Sequence, residues 1–158
     1  MILPMPTIHL QTDILAPIGV VFDLARDIDF HQSSLSHTAE VAVDGCTSGL
    51  ISLGQRVTWE GRHFGIRQRL TVEITAMDAP ESFVDEMISG AFRSFRHLHR
   101  FEATANGTRM WDEFTFESPF GLLGKLFNAL VLTSYMRRLL QTRNRALKEA
   151  AESRAVVQ

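Results

Sequence analysis

Cysteine is almost missing: Cys46 is the only one in 158 residues. A single thiol excludes an internal disulfide and a four-thiolate zinc site, and it fits a reducing, cytoplasmic setting. Long apolar runs are missing too. Ala129 to Leu132 is closed off by Asn128 and Thr133, far short of the roughly 20 residues that span a bilayer. The opening "MILPMPTIHLQ" has no basic stretch and is broken by two prolines, so it does not read as a secretory signal. Net charge is only −2. That leaves no field to attract nucleic acid, and no nucleic-acid partner is expected. No nucleophile elbow or dinucleotide fingerprint occurs. "SPFGLLGK" fails as a phosphate loop, because Pro119 stands where the first glycine belongs and Leu126 follows the lysine.

What is present is apolar and aromatic. Hydrophobic residues make up 45% of the chain and charged residues 22%, with eleven phenylalanines, a globular composition able to fill a large core. No linker or repeat divides residues 1–158, so one domain is expected. "TIHLQTDIL" alternates as a half-buried strand does. After Pro17, Val20, Val21, Leu24 and Ala25 have helical spacing, and Asp27 or Asp29 can cap a second short helix reaching about Ser34. From residue 38, six strand-like runs recur between turn-rich segments. Asn106-Gly107 is the strongest hairpin signal among them. The period then changes, and one long helix is expected over about 121–152, with Leu123, Leu126, Phe127, Leu130, Leu140 and Leu147 along it. Its basic residues Arg137, Arg138, Arg143, Arg145 and Lys148 read as a solvated face near the helix C-terminus.

The stretch "FRHLHRF" raises the chemical question. If Phe95 and Phe101 face inward, so do His97 and His99, because alternate residues of a strand share a face. A two-residue turn at Asn106-Gly107 would set Phe101 opposite Asp112, His99 opposite Phe114 and His97 opposite Phe116. Turning at "DAP" sets Ile74 near Asp85 and Val72 near Met87. The inner face then carries Gln68, Leu70, Asp85, Met87, His97, His99 and Asp112 among aromatics. Polar groups without partners in a filled core cost about 1–3 kcal/mol each, so a cavity that receives a ligand accounts for them. The imidazoles are expected to pair with carboxylates, His97 with Asp85 and His99 with Asp112. His-x-His is also a way to present two ligands to a metal, but no metal and no cofactor is assigned.

The order of elements, strand, two small helices, six further antiparallel strands and a long terminal helix, resembles the helix-grip fold of the SRPBCC superfamily, with its START and birch-pollen-allergen-like members. "GQRVTW", "SFVDEMISGAFRSFRHLHRF", "GTRMWDEFTFESPFGLLG" and "RNRALK" look like its bacterial polyketide cyclase/dehydrase-like branch. The resemblance implies an α+β fold with a seven-stranded antiparallel sheet wrapped around the long helix. It also implies a hydrophobic tunnel between the two for a lipid, polyketide, quinone or similar small molecule. The expected lining adds Phe95, Phe101, Phe114, Phe116, Phe127 and Leu130 to the polar set above. An alternative function is a cyclase or dehydratase in which His97, His99 and Asp112 act as general acid and base. The segment from Phe120 to Leu123 is expected to pack at the helix start or, at most, to touch a membrane peripherally. Trp111 falls on the outward parity as a candidate exposed contact, and a homodimer is left open.

Overall fold

The computed structural model describes residues 5–118, 121, 123, 126 and 128–157. Strand β1 (Thr7–Ile14) leads into helices α1 (Ile18–Ala25) and α2 (Ile28–Ser34) and a 3-10 turn at Ser36–Thr38. Strands β2 (Val41–Gly45), β3 (Arg56–His63), β4 (Ile66–Asp78), β5 (Ser82–Ser89), β6 (Ser94–Thr104) and β7 (Gly107–Glu117) follow, and helix α3 (Thr133–Val156) ends the chain. The seven strands form one antiparallel sheet in the order β1-β7-β6-β5-β4-β3-β2. Helix α3 packs on α1, α2 and β1. This is the helix-grip architecture expected from the element order. Among the described residues no helix is long and apolar enough to cross a membrane.

Local chemistry sets the helix starts. Asp27 Oδ1 accepts the Phe30 N–H at 3.0 Å and caps α2, while the Pro17 carbonyl accepts the N–H of Val20 and Val21 to open α1. The sheet is wet on one side, as alternation predicts. Its outer face carries ion pairs from Arg56 to Glu73, Arg67 and Arg69 to Glu60, and Arg109 to Asp13. Exposed pairs of this kind contribute little each. The inner face of β7 buries Thr108, Met110, Asp112, Phe114 and Phe116, and that of β6 buries Phe95, His97, His99 and Phe101. On α3, Leu140, Arg143, Asn144, Leu147 and Ala151 are buried.

One register differs from expectation and one agrees with it. The β6–β7 turn residues are Ala105 and Asn106, because Thr104 pairs with Gly107. His99 therefore lies opposite Asp112, and His97 opposite Phe114. The displacement is two residues, so each side chain keeps its face and changes only its neighbour. At β4–β5 the expected pairs Ile74 with Asp85 and Val72 with Met87 are present, with irregularities on either side.

Gly107, the first residue of β7, is needed for space. A Cβ there would lie 2.1 Å from the Ile14 carbonyl oxygen and 3.0 Å from the Ala16 nitrogen. Gly107→Ala is expected to push β1 away from the hairpin and cost about 1–3 kcal/mol. A urea midpoint equal to that of the unaltered chain would refute this close approach.

The terminal helix is not continuous as expected. A π-helical segment at Asn128–Leu132 precedes α3. An extra residue in a turn rotates the residues before it by about 100° relative to those after it. Leu123, Leu126 and Leu130 are accordingly 82%, 60% and 67% exposed, although their spacing alone would join them to the Leu140–Leu147 stripe. Phe120, Leu122 and Phe127 lie outside the described residues.

Candidate functional site

Between the inner sheet face, α2 and α3 there is a cavity of about 170 Å³. Val57, Val72, Ile74, Phe83, Phe95 and Phe114 form its sheet wall, and Met136, Leu139 and Leu140 its helix wall. Large aromatics keep it compact. Its volume is near that of an engineered 150 Å³ cavity that holds benzene.

A histidine–carboxylate cluster closes one side. His97 and His99 stack with ring centroids 3.7 Å apart. His99 also stacks on Phe83 at 4.1 Å. The pairing is the reverse of the expected one: His97 Nε2 lies 2.7 Å from Asp112 Oδ1, and His99 Nε2 lies 2.8 Å from Asp85 Oδ1. The rings lean away from their opposite neighbours, so each finds the carboxylate diagonal to it. Asn144 Nδ2 donates to the second oxygen of Asp112 at 2.5 Å.

Burial pushes the Asp112 carboxyl up, but the His97 hydrogen bond and the charges of His97, His99 and Arg143 outweigh it and hold the group well below the carboxylate range. Burial also raises Asp85, and the His99 hydrogen bond with the charges of His97, His99 and Arg143 brings it below its ordinary value. An ionised carboxylate only accepts, so Nε2 of both rings carries the donating hydrogen. For His99, burial and the neighbouring His97 depress the pKa to about 4 against the pull of Asp85. Its ring is neutral near pH 7, and Nδ1, 3.4 Å from Asp112 Oδ1, has no hydrogen-bond partner.

Of the expected lining, Leu70, Asp85, Phe95, His97, His99 and Phe114 border the cavity. Asp112 does not; it is buried behind the two histidines and holds His97. Phe101 packs against Phe22 and Phe83 in the core, and Phe116 against Phe92 and Phe114. Gln68 and Met87 are half-buried strand residues away from the cavity wall. Leu130 is exposed, so its expected place on the wall is corrected by the π segment that turns it outward. Trp111 is half-buried, with the Arg100 guanidinium 4.4 Å above its ring.

Sequence reasoning missed a second polar group on the wall: His31, Glu40 and His63. His31 stacks on Trp59 at 4.1 Å, and its Nε2 lies 3.3 Å from Glu40 Oε1. The Thr38 hydroxyl donates to Glu40 Oε2 at 3.2 Å. Burial raises the Glu40 carboxyl, and the His31 hydrogen bond with the charges of His31 and His63 brings it below its usual value. His63 Nδ1 and the Tyr135 hydroxyl share a 2.6 Å hydrogen bond, and burial lowers the His63 pKa. These residues leave no periodic signal because α2, the loop before β2, β3 and α3 each supply one or two.

Arg143 was also missed. Assigned from sequence to a solvated basic face, it is buried and borders the cavity. Its position between Leu140 and Leu147 on the apolar stripe is the signal that places it there.

For a metal, Asp85, His97 and His99 bring ligand atoms within 4.8 Å of one another. Nε2 of both rings is already committed to a carboxylate, and the Arg143 charge reaches Asp85 and His99. The Arg143 charge works against a divalent cation there, while the carboxylate bonds at Nε2 leave the other ring nitrogen of each histidine for coordination.

Solved structures of other proteins share this shape. Protein TTHA0849 of Thermus thermophilus has a TM-score of 0.77 at 20% identity, covering 95% of this chain and 99% of that one. Ginseng major latex-like protein 151 of Panax ginseng has 0.70 at 16%, covering 94% and 98%. Ms6760 of Mycobacterium smegmatis has 0.68 at 19%, covering 91% and 89%. No curated protein matches the chain. The class these likenesses define is the helix-grip fold. Within it, the chain belongs to the family described as polyketide cyclase/dehydrase and lipid transport, which it matches over residues 5–152.

Proposed function

We propose that this protein binds a compact hydrophobic small molecule in the cavity between the sheet and α3. The observation that carries the reading is the cavity itself: about 170 Å³ of space walled by aromatic and aliphatic side chains, with polar groups at separate points of the wall. Apolar pockets with a few placed polar groups are the usual form of a small-molecule site. The family's description, which joins cyclase/dehydrase with lipid transport, supports the class of ligand, and the volume favours one ring over a chain.

Toluene is the simplest probe. Adding it is expected to shift the NMR signals of the Trp59 indole and the Met136 methyl saturably, and Leu70→Phe, which fills part of the space, is expected to weaken it at least tenfold. No saturable shift, or an unchanged affinity in Leu70→Phe, would remove the reading.

A second reading is an acid–base lyase acting on a carbonyl compound, with His97 and His99 as the proton-transferring groups. It is favoured by one observation, the neutral His99 ring whose Nδ1 lone pair has no partner. Turnover lost in His99→Gln with toluene affinity unchanged separates this reading from binding alone.

A further inference from the structure

We propose that Arg143 is an anion-recognition residue and that the cavity's ligand is a single-ring organic carboxylate, its ring against the aromatic wall and its charge at the guanidinium. The proposal rests on the reading of the cavity as a ligand site and names the chemistry of its occupant.

Arg143 is 5% exposed and borders the cavity. A guanidinium has five N–H donors and no acceptor. Here Nη2 donates to the Ala25 carbonyl at 2.7 Å, while Nε and Nη1 have no partner. Arginine is almost never buried without a counter-charge, because an unpaired buried cation is costly. Among the described residues, no carboxylate forms an ion pair with Arg143. The nearby acids are occupied elsewhere: Asp112 by His97 and Asn144, Asp85 by His99, and Glu40 by His31 and Thr38. Each of these acids therefore has a donor of its own, and the guanidinium has a carbonyl and open donors.

A ligand carboxylate supplies what is missing at Nε and Nη1: two acceptor oxygens in one plane. Charge-assisted hydrogen bonds of this kind are about twice as strong as neutral ones. Water would satisfy single N–H groups but would not present the two parallel acceptors that a planar guanidinium fork matches. The remaining volume, bounded by Phe83, Phe95, Phe114 and Leu140, is apolar and ring-sized, which favours an aromatic or alicyclic acid over an inorganic anion. A bare phosphate or sulfate would leave water without filling the apolar part of the space.

Benzoate and its neutral isostere benzamide test this by calorimetric titration of the full chain at pH 7, with toluene as the control for the cavity. The unaltered protein is expected to bind benzoate at least tenfold more tightly than benzamide. In Arg143→Met, benzoate is expected to lose at least tenfold and fall level with benzamide, whose own affinity stays. Arg143→Lys, which keeps the charge and loses the planar fork, is expected to fall between. If Arg143→Met does not fold, the benzoate-to-benzamide ratio in the unaltered chain and in Arg143→Lys decides. Benzamide binding as well as benzoate, or a preference for benzoate that both Arg143 variants retain, overturns the proposal while leaving the cavity reading in place. Failure of benzoate, benzamide and toluene alike removes both.

Discussion

Replacing Asp112 with alanine is expected to cost about 3–5 kcal/mol, the usual loss when one partner of a buried charge network is removed. Asp112 is 1% exposed and takes hydrogen bonds from His97 Nε2 and Asn144 Nδ2. Alanine leaves both donors without an acceptor in a place water does not reach, and it opens a void between β7 and α3. Against a total stability of about 5–15 kcal/mol for an ordinary domain, this is a large share. Asp112→Asn keeps the shape but turns one accepting oxygen into a donor facing a donor, with an expected cost of about 2 kcal/mol. Urea unfolding with an unchanged m-value reads both. A loss under about 1 kcal/mol in the alanine variant would show that the network is not what joins the sheet to the helix there.

The second large effect is in pH. The folded pKa of His99 is depressed to about 4 from an ordinary 6.5, so between those values the unfolded chain binds the proton and the folded chain does not. Stability then rises with pH through that window. On acidification from 6.5 to 4, the depressed imidazole withdraws about 3 kcal/mol. The lowered Asp85 and Asp112 act in the same direction further down, since their contribution is present above the ordinary carboxylate value and is lost as pH falls through their folded values. His99→Gln keeps a donor for Asp85 and cannot titrate. Its stability curve is expected to be flatter than that of the unaltered chain between pH 6.5 and 4. Parallel curves would mean that His99 does not carry the dependence.

The faces of the strands were legible in the sequence and their partners were not. Alternation of Phe95, His97, His99 and Phe101 survives any two-residue slip, so burial was readable although the hairpin turns one residue earlier than Asn-Gly suggests. The choice between Asp85 and Asp112 depends on side-chain lean across three strands, which no pattern encodes. The cluster of His31, Glu40 and His63 is assembled from α2, the loop before β2 and the end of β3, which no single period joins. Arg143 illustrates a different failure. Charge argued for solvent and the stripe of Leu140 and Leu147 argued for burial; the stripe prevails because the helix crosses the core there. Leu130 went wrong through phase, since the π segment at Asn128–Leu132 shifts the helix by one residue.

One bond of Arg143 ties the cavity wall to the end of a helix. The Ala25 carbonyl it holds closes α1, and the next residues are stitched to a neighbouring loop, with the Ile51 N–H on the Arg26 carbonyl at 3.1 Å and the Ile28 N–H on the Gly49 carbonyl at 2.9 Å. A single side chain thus joins a helix end to an interior space, and energetic linkage between two places is reciprocal. Whatever ligand tightens the guanidinium's hold on the Ala25 carbonyl also steadies the last turn of α1, and steadying that turn favours the ligand by the same coupling free energy. Amide exchange at Arg26 and Ile28, where α1 ends, becomes a reporter of events in the cavity.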